Sequence, residues 1–405
     1  MELSLQAGAI NVIVPPLDLV KQYRPLKSSL IDAFSEALDS GQFVLGDKVE
    51  SFEKSIEELT KAKYAIAVSN GTDALWLALK AAGVGPGDYV ATTPFTFFAT
   101  VSAICKVGAR PVFCDIDEAT FNLDPTDFQH VVNTFPGVIK AVIPVHLYGQ
   151  CADMAKITEI ASTNNIKVIE DAAQALGSTQ ANTFAGAFGD AACFSLFPTK
   201  NLGALGEAGL VTTNSDEIAN TVRKLRVHGS SQRYLHEELG SNCRMDAIQA
   251  AFLLQFIPKL KEWNEAREFR AERYNEAFAE IAEITLPQKK PGNSHIYHQY
   301  TIRVGAQIRD SLKTSLQNAG IGAAVYYPLP CHLQPALQGL VDSSISFPKT
   351  EKASSEVLSL PVFPTMSGEQ QHYVITMVHR AIKELRPLVS TRPAKKPGAN
   401  HETHA

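Results

Sequence analysis

Three features of the sequence predict an α/β fold. From residue 64 to residue 170, short apolar runs alternate with helix-periodic stretches, as in repeated strand-helix-strand units around a mainly parallel sheet buried on both faces. The chain has 405 residues, more than one core usually supports, so a large domain with a smaller one attached is expected. Its 45% hydrophobic and 20% charged residues describe an ordinary globular protein.

The elements follow in order. Residues 26–38 have helical periodicity, broken by Gly41 and Gly46. The alternation then predicts strands at 64–68, 89–92, 111–114, 141–145 and 167–170, with helices at 73–82, 96–105 and 152–163. Past residue 200, Gly209-Leu210-Val211-Thr212-Thr213 reads as another strand and 216–227 as a helix. Residues 245–279, rich in Ala, Leu, Glu and Arg, form two helices or one long bent helix leading into a C-terminal domain. There, strand-like 297–304 mixes with helix-like 310–318 and 370–383, which predicts a smaller α+β unit. The expected division is a large domain over 1–260, a small one over 261–388, and a tail over 389–405 with too little apolar content to fold, hence disordered.

Net charge of -5 and a pI near 6.1 provide no electrostatic footprint for nucleic acid or an anionic membrane. No apolar run reaches bilayer-spanning length, and residues 1–16 lack a basic region followed by an apolar core, so a cytoplasmic protein is expected. The six cysteines are scattered without a C-x-x-C pair, and the histidines lack metal-ligand spacing, which predicts reduced thiols and no metal. A small-molecule partner remains.

Two segments carry the chemistry. Val168-Ile169-Glu170-Asp171-Ala172-Ala173-Gln174 is an apolar strand ending in a carboxylate and an amide three residues apart. Phe194-Ser195-Leu196-Phe197-Pro198-Thr199-Lys200-Asn201 adds a hydroxyl and an amine five apart. Together they can surround pyridoxal 5'-phosphate (PLP): the lysine forms a Schiff base with the aldehyde, and a carboxylate keeps the pyridine nitrogen protonated. Either residue alone reads better as a capping Asp or a surface Lys. Glu170 and Asp171 point to opposite faces of the strand, and the spacing to Gln174 favours Asp171. Ser69-Asn70-Gly71-Thr72-Asp73, between a strand and a helix, suits a phosphate on helix N-H groups, or is a turn with Thr72 as N-cap. In the segment 93–100, one Phe could stack on a flat ring or each could be core. Gly240-Ser241-Asn242-Cys243-Arg244-Met245-Asp246 opens the long helix, with Asn242 or Asp246 able to cap it.

With these motifs in this order, and with Pro144-Val145-His146-Leu147-Tyr148-Gly149 and Leu360-Pro361-Val362-Phe363-Pro364, the chain resembles the DegT/DnrJ/EryC1/StrS sugar-nucleotide aminotransferases over residues 16–364. The resemblance implies the PLP-dependent transferase fold type I. It implies Lys200 as the Schiff-base lysine, Asp171 as the pyridinium partner, Gln174 on the phenolic oxygen, Phe97 as the stacking ring, and Gly71, Thr72 and Ser195 on the phosphate. It further implies a homodimer whose neighbouring subunit contributes Asn242. The implied reaction moves the amino group of L-glutamate to the C3 or C4 ketone of a nucleotide-linked sugar, and the wording of 70–75 and 93–100 leans toward 3-keto sugars. Arg233, His236, Tyr327 and His332 could meet a diphosphate or a sugar carboxylate, or be solvated loop residues. Two rival readings stay open: a transaminase of a free keto-cyclitol or keto sugar, and a PLP-binding regulatory protein without turnover.

Overall fold

The computed structural model describes residues 12–390 apart from 343. Its central sheet contains β1 (Tyr64–Val68), β2 (Tyr89–Thr92), β3 (Arg110–Phe113), β4 (Ile139–Ile143), β5 (Lys167–Asp171), β8 (Ala191–Ser195) and β9 (Gly209–Thr213), in the order β1-β9-β8-β5-β4-β2-β3. Neighbours from β8 to β3 pair in parallel. β9 is antiparallel to both β8 and β1, so it alone runs against the other six. The fold is the α/β class expected, with a mainly parallel sheet between helices.

Helices α4 (Gly71–Ala81), α5 (Phe98–Lys106), α6 (Pro125–Thr134), α7 (Met154–Thr163) and α8 (Asp216–Leu225) follow the strands, and α1 (Leu19–Tyr23), α2 (Lys27–Ser40) and α3 (Asp47–Thr60) precede them. The helix α8 shows why these segments fold as they do. Ser215 caps it by accepting from the Ile218 N-H, Asp216 and Glu217 occupy the first turn, and Arg223 and Lys224 the last. The charges therefore complement the helix dipole while Ile218, Ala219, Val222 and Leu225 form one buried stripe. Burial of Ile218, Val222 and Leu225 contributes roughly 1.5–3 kcal/mol each. In α3 the apolar stripe is Val49, Phe52 and Ile56. Two small hairpins, β6 (Thr179–Gln180) with β7 (Thr183–Phe184) and β10 (Ser230–Gln232) with β11 (Leu235–His236), lie outside the main sheet.

The region 245–279 is one helix, α9 (Ala247–Phe278), with Pro258 inside it. At about 1.5 Å per residue it spans roughly 48 Å. Leu253, Phe256, Leu260 and Trp263 pack into the core beneath the central sheet. Ala271, Tyr274 and Phe278 enter a second core with β12 (Ile284–Thr285), β13 (Tyr300–Val304), β14 (Val357–Leu360), α10 (Ala306–Asn318) and α12 (Gly368–Ser390). The three strands form an antiparallel sheet, and α11 (Pro348–Glu356) leads into β14. Of the tail expected from residue 389, positions 389 and 390 end α12 and the rest lies outside the described residues. Among the described residues, no helix is long and apolar enough to cross a membrane, and no cluster of three or more His, Cys, Asp or Glu could hold a metal ion.

Candidate active site

A cavity of about 840 Å³ opens at the carboxyl ends of the strands, lined by both the central-sheet and the C-terminal parts of the chain. Its first wall is the junction of β1 and α4. Asn70 caps α4: its Oδ1 accepts from the Asp73 N-H at 2.8 Å, while its Nδ2 and the Ser69 hydroxyl donate to Asp73 Oδ2 at 2.9 and 2.7 Å. Thr72 is therefore not the cap, and it lines the cavity beside Gly71. A Cβ on Gly71 would lie 2.8 Å from Ser195 Cβ, and one on Gly209 would lie 2.4 Å from the Asn70 carbonyl. Both glycines are required for the α4 N-terminus to sit against the ends of β8 and β9. Helix N-H groups and the Thr72 and Ser195 hydroxyls thus border one space, an arrangement suited to an anion.

The pleat of β5 separates its two carboxylates. Glu170 is fully buried and points away from the cavity. Its oxygens accept from the N-H groups of Gly186, Phe188 and Gly189 at 2.8–2.9 Å and meet His146 Nε2 at 2.9 Å. His146 Nδ1 accepts from the Ala152 N-H, which assigns the ring proton to Nε2 as the donor to Glu170. Asp171 lines the cavity. The Thr100 hydroxyl donates to its Oδ2 at 2.7 Å and the Ala173 N-H to its Oδ1 at 3.2 Å, with the Thr96 hydroxyl 2.8 Å behind that of Thr100. Burial pushes the Asp171 carboxyl up from its ordinary range, opposed by these hydrogen bonds and by Lys200.

Lys200 enters from the turn after β8. Loss of water lowers its ammonium to about 8, and the nearby Asp171 charge partly offsets this. Next to it, His298 Nδ1 donates to Asn201 Oδ1 at 3.0 Å. The ring is held neutral, well below its usual pKa, first by burial and then by the Lys200 and Arg267 charges. Gln174 is fixed by accepting the Tyr148 N-H on Oε1 at 2.7 Å, which turns its amide nitrogen toward the Tyr327 hydroxyl at 3.3 Å. Burial raises Tyr327 above its ordinary pKa, so the hydroxyl keeps its proton. Of the aromatic candidates after β2, Phe95 is core, whereas Phe97 is 61% exposed at the cavity, 6.1 Å from the Tyr327 ring.

The chain thus brings Gly71, Thr72, Phe97, Asp171, Gln174, Ser195, Lys200 and Tyr327 to one cavity. It does not bring Arg233, His236, Asn242 or His332 there. Arg233 and His236 belong to the exposed β10–β11 hairpin region, and Asn242 is exposed, accepting from Arg244 Nε at 2.8 Å. His332 is neither in the cavity nor solvated: it is 2% exposed, packed beside Phe113 and Phe347. Sequence reasoning missed Arg267, His298 and Gln299 as cavity residues. Arg267 sits among the many charges of α9 and carries no local signal, whereas Tyr297-His298-Gln299-Tyr300, a polar pair between aromatics ahead of a strand, offered one.

A mixed, mainly parallel sheet with a lysine and a carboxylate at its carboxyl edge, closed by a smaller C-terminal sheet, defines the PLP-dependent transferase fold type I. The chain belongs to the DegT/DnrJ/EryC1/StrS aminotransferase family, whose profile matches residues 25–379. It is 47% identical to a pleiotropic regulatory protein of Geobacillus stearothermophilus over 90% of this chain and 97% of that one. It is 38% identical to a UDP-N-acetyl-3-dehydro-alpha-D-glucosamine 3-aminotransferase of Acidithiobacillus ferrooxidans, over 92% and 99%. Among solved structures, S. venezuelae DesV superposes with a TM-score of 0.88 at 36% identity, covering 92% of this chain and 99% of that one. A Bacillus subtilis structure, NtdA with bound cofactor PMP, superposes at 0.86 with 32% identity, covering 92% and 85%.

Proposed function

We propose that the protein transfers the amino group of L-glutamate to the C3 or C4 ketone of a nucleotide-linked sugar, with pyridoxal 5'-phosphate as cofactor and a homodimer as the active unit. The observation that carries this reading is the cavity that Lys200 and Asp171 share with the α4 N-terminus. The residues suit the cofactor: an amine of depressed basicity for its aldehyde, a carboxylate for its ring nitrogen, and a glycine-tight helix end with two hydroxyls for its phosphate. When bound, PLP supplies an aldehyde that takes up the amino group and a ring that takes up electrons.

The chain's own residues then do the following. Gly71, Thr72 and Ser195 would hold the phosphate. The Asp171 carboxylate, oriented by Thr100, would keep the ring nitrogen protonated, Gln174 would offer its amide N-H to the phenolic oxygen, and Phe97 would stack on the ring. Lys200 Nζ, about half neutral near pH 8, takes the α-proton from glutamate and returns a proton to the sugar carbon. In the dimer the partner subunit contributes Asn242. The support for it is that Asn242, Arg233 and His236 stand away from their own cavity, while Ile31, Phe34 and Leu38 of α2 expose apolar surface. The two domains of this reading are 1–260 and 261–388, with the border within α9, but Val14 pairs with Ile321 and packs in the second core, so the segment ahead of α1 goes with the smaller domain.

The relative that aminates a 3-keto sugar favours C3. The relative described as regulatory favours a second reading, PLP binding without turnover; the full set of Lys200, Asp171, Gln174 and Ser195 weighs against it. Incubating the protein with PLP, glutamate and a panel of nucleotide-linked keto sugars, read by mass, decides. Amination of a nucleotide sugar is expected; turnover only of a free keto sugar or cyclitol, or of nothing in the panel, overturns the proposal.

A further inference from the structure

Arg267 lines the cavity, is 2% exposed and forms no ion pair among the described residues. Three other shielded arginines each have one. Arg226, Arg303 and Arg309, with side chains 10–12% exposed, each hold a carboxylate at 2.7–2.8 Å. Arg267 meets only neutral dipoles: its Nη1 donates to the carbonyls of Val362 at 2.8 Å, His298 at 3.3 Å and Tyr297 at 3.4 Å. Burial lowers it to about 10, so it remains a cation at neutral pH. Its Nε, buried, has no partner at all.

The unused nitrogens are Nε and Nη2, which form the side edge of the guanidinium fork, the edge that takes two carboxylate oxygens at once. A buried charge without a counter-ion is costly, and an anion on this edge removes that cost. Arg267 lines the same cavity as Lys200 and His298, and its Nη1 donates to the His298 carbonyl. We propose that Arg267 seats a carboxylate of the amino donor. The anion that suits this edge is a carboxylate, as carried by an acidic amino acid, bound in the cavity that Arg267 shares with Lys200. This deepens the proposed function and rests on it.

The test measures binding to the PLP-loaded protein by calorimetry, comparing wild type, Arg267→Gln and Arg267→Lys. The probes are glutarate as an unreactive dicarboxylate, UDP-glucose, and UDP-glucuronic acid. Arg267→Gln is expected to weaken glutarate by about 10- to 100-fold while UDP-glucose stays within about 2-fold. Arg267→Lys, which keeps the charge and loses the fork, is expected to weaken glutarate by a smaller factor, about 3- to 10-fold. Unchanged glutarate affinity in Arg267→Gln overturns the assignment, and so does unchanged affinity in Arg267→Lys should the glutamine variant not fold. Equal weakening of UDP-glucose and glutarate would make Arg267 a backbone clasp only, and a loss confined to UDP-glucuronic acid would make it a sugar-carboxylate seat; both overturn it. If wild type aminates a keto sugar with glutamate and the variants bind glutarate normally, this inference falls while the proposed function stands.

Discussion

At the scale of single residues, the adjacent Glu170 and Asp171 show how position on a strand assigns chemistry. Glu170 spends all its acceptor capacity on three backbone N-H groups and His146, whereas Asp171 keeps an oxygen facing the cavity. Asp171→Asn removes the charge proposed to face the ring nitrogen and is expected to slow the glutamate half-reaction by roughly 10²- to 10³-fold, with the cofactor still retained. Glu170→Gln instead turns a donor toward backbone donors and is expected to cost about 1–3 kcal/mol of stability with a far smaller effect on rate. Single-turnover kinetics and thermal melting on both variants separate the two effects; the reverse ranking in rate would mean that the wrong carboxylate has been chosen. The separation was legible in the sequence, because strand pleating and the spacing to Gln174 are local. The hydrogen bond from Thr100 was not, since it joins residues 71 positions apart.

At the scale of elements, the α4 N-terminus works because two glycines bring backbone to backbone. Gly71→Ala places a methyl 2.8 Å from Ser195 Cβ, so α4 must move away from β8. The expected result is a loss of about 1–3 kcal/mol of stability from overpacking, together with weaker cofactor retention. Equilibrium dialysis of PLP and a melting curve check it; tight PLP binding in a destabilised variant would show that α4 supports the fold without holding the phosphate. The motif was readable as a strand-to-helix turn, but its cap was not: Thr72 and Asn70 are both capping residues, and Asp73 selects Asn70, donating its backbone N-H to Asn70 Oδ1 and accepting from Asn70 Nδ2 on its side chain. Neither α3 nor α6 was expected from the sequence: the α3 stripe of Val49, Phe52 and Ile56 was there to be read and was missed, whereas α6 begins at a proline and has few apolar residues to reveal its period.

At the scale of the whole molecule, the proposed dimer has a direct test. In that proposed dimer, Lys200→Ala would disable its own cavity and Asn242→Ala that of the neighbouring subunit. A mixed dimer of the two then holds one site with both lesions and one with neither. Activity above that of either parent is expected once mass spectrometry shows that mixed dimers have formed. No recovery would make Asn242 a residue of its own chain's loop, where it accepts from Arg244.

The sequence by itself determined what depends on neighbours a few positions away. The strand-helix alternation, the turn glycines, the lysine and carboxylate motifs and the order in which they occur all follow from local periodicity and chemistry. Tertiary structure decided what depends on the whole chain closing on itself. The insertion of β9, running in reverse, between β1 and β8 pairs Tyr64 with Thr213 and cannot be read from either segment. The burial of His332 and the arrival of Arg267 at the cavity depend in the same way on distant partners, the Arg267–Val362 hydrogen bond spanning 95 positions. A side chain's polarity says what it can do; which surface it meets is settled only when the cores on either side of α9 are packed.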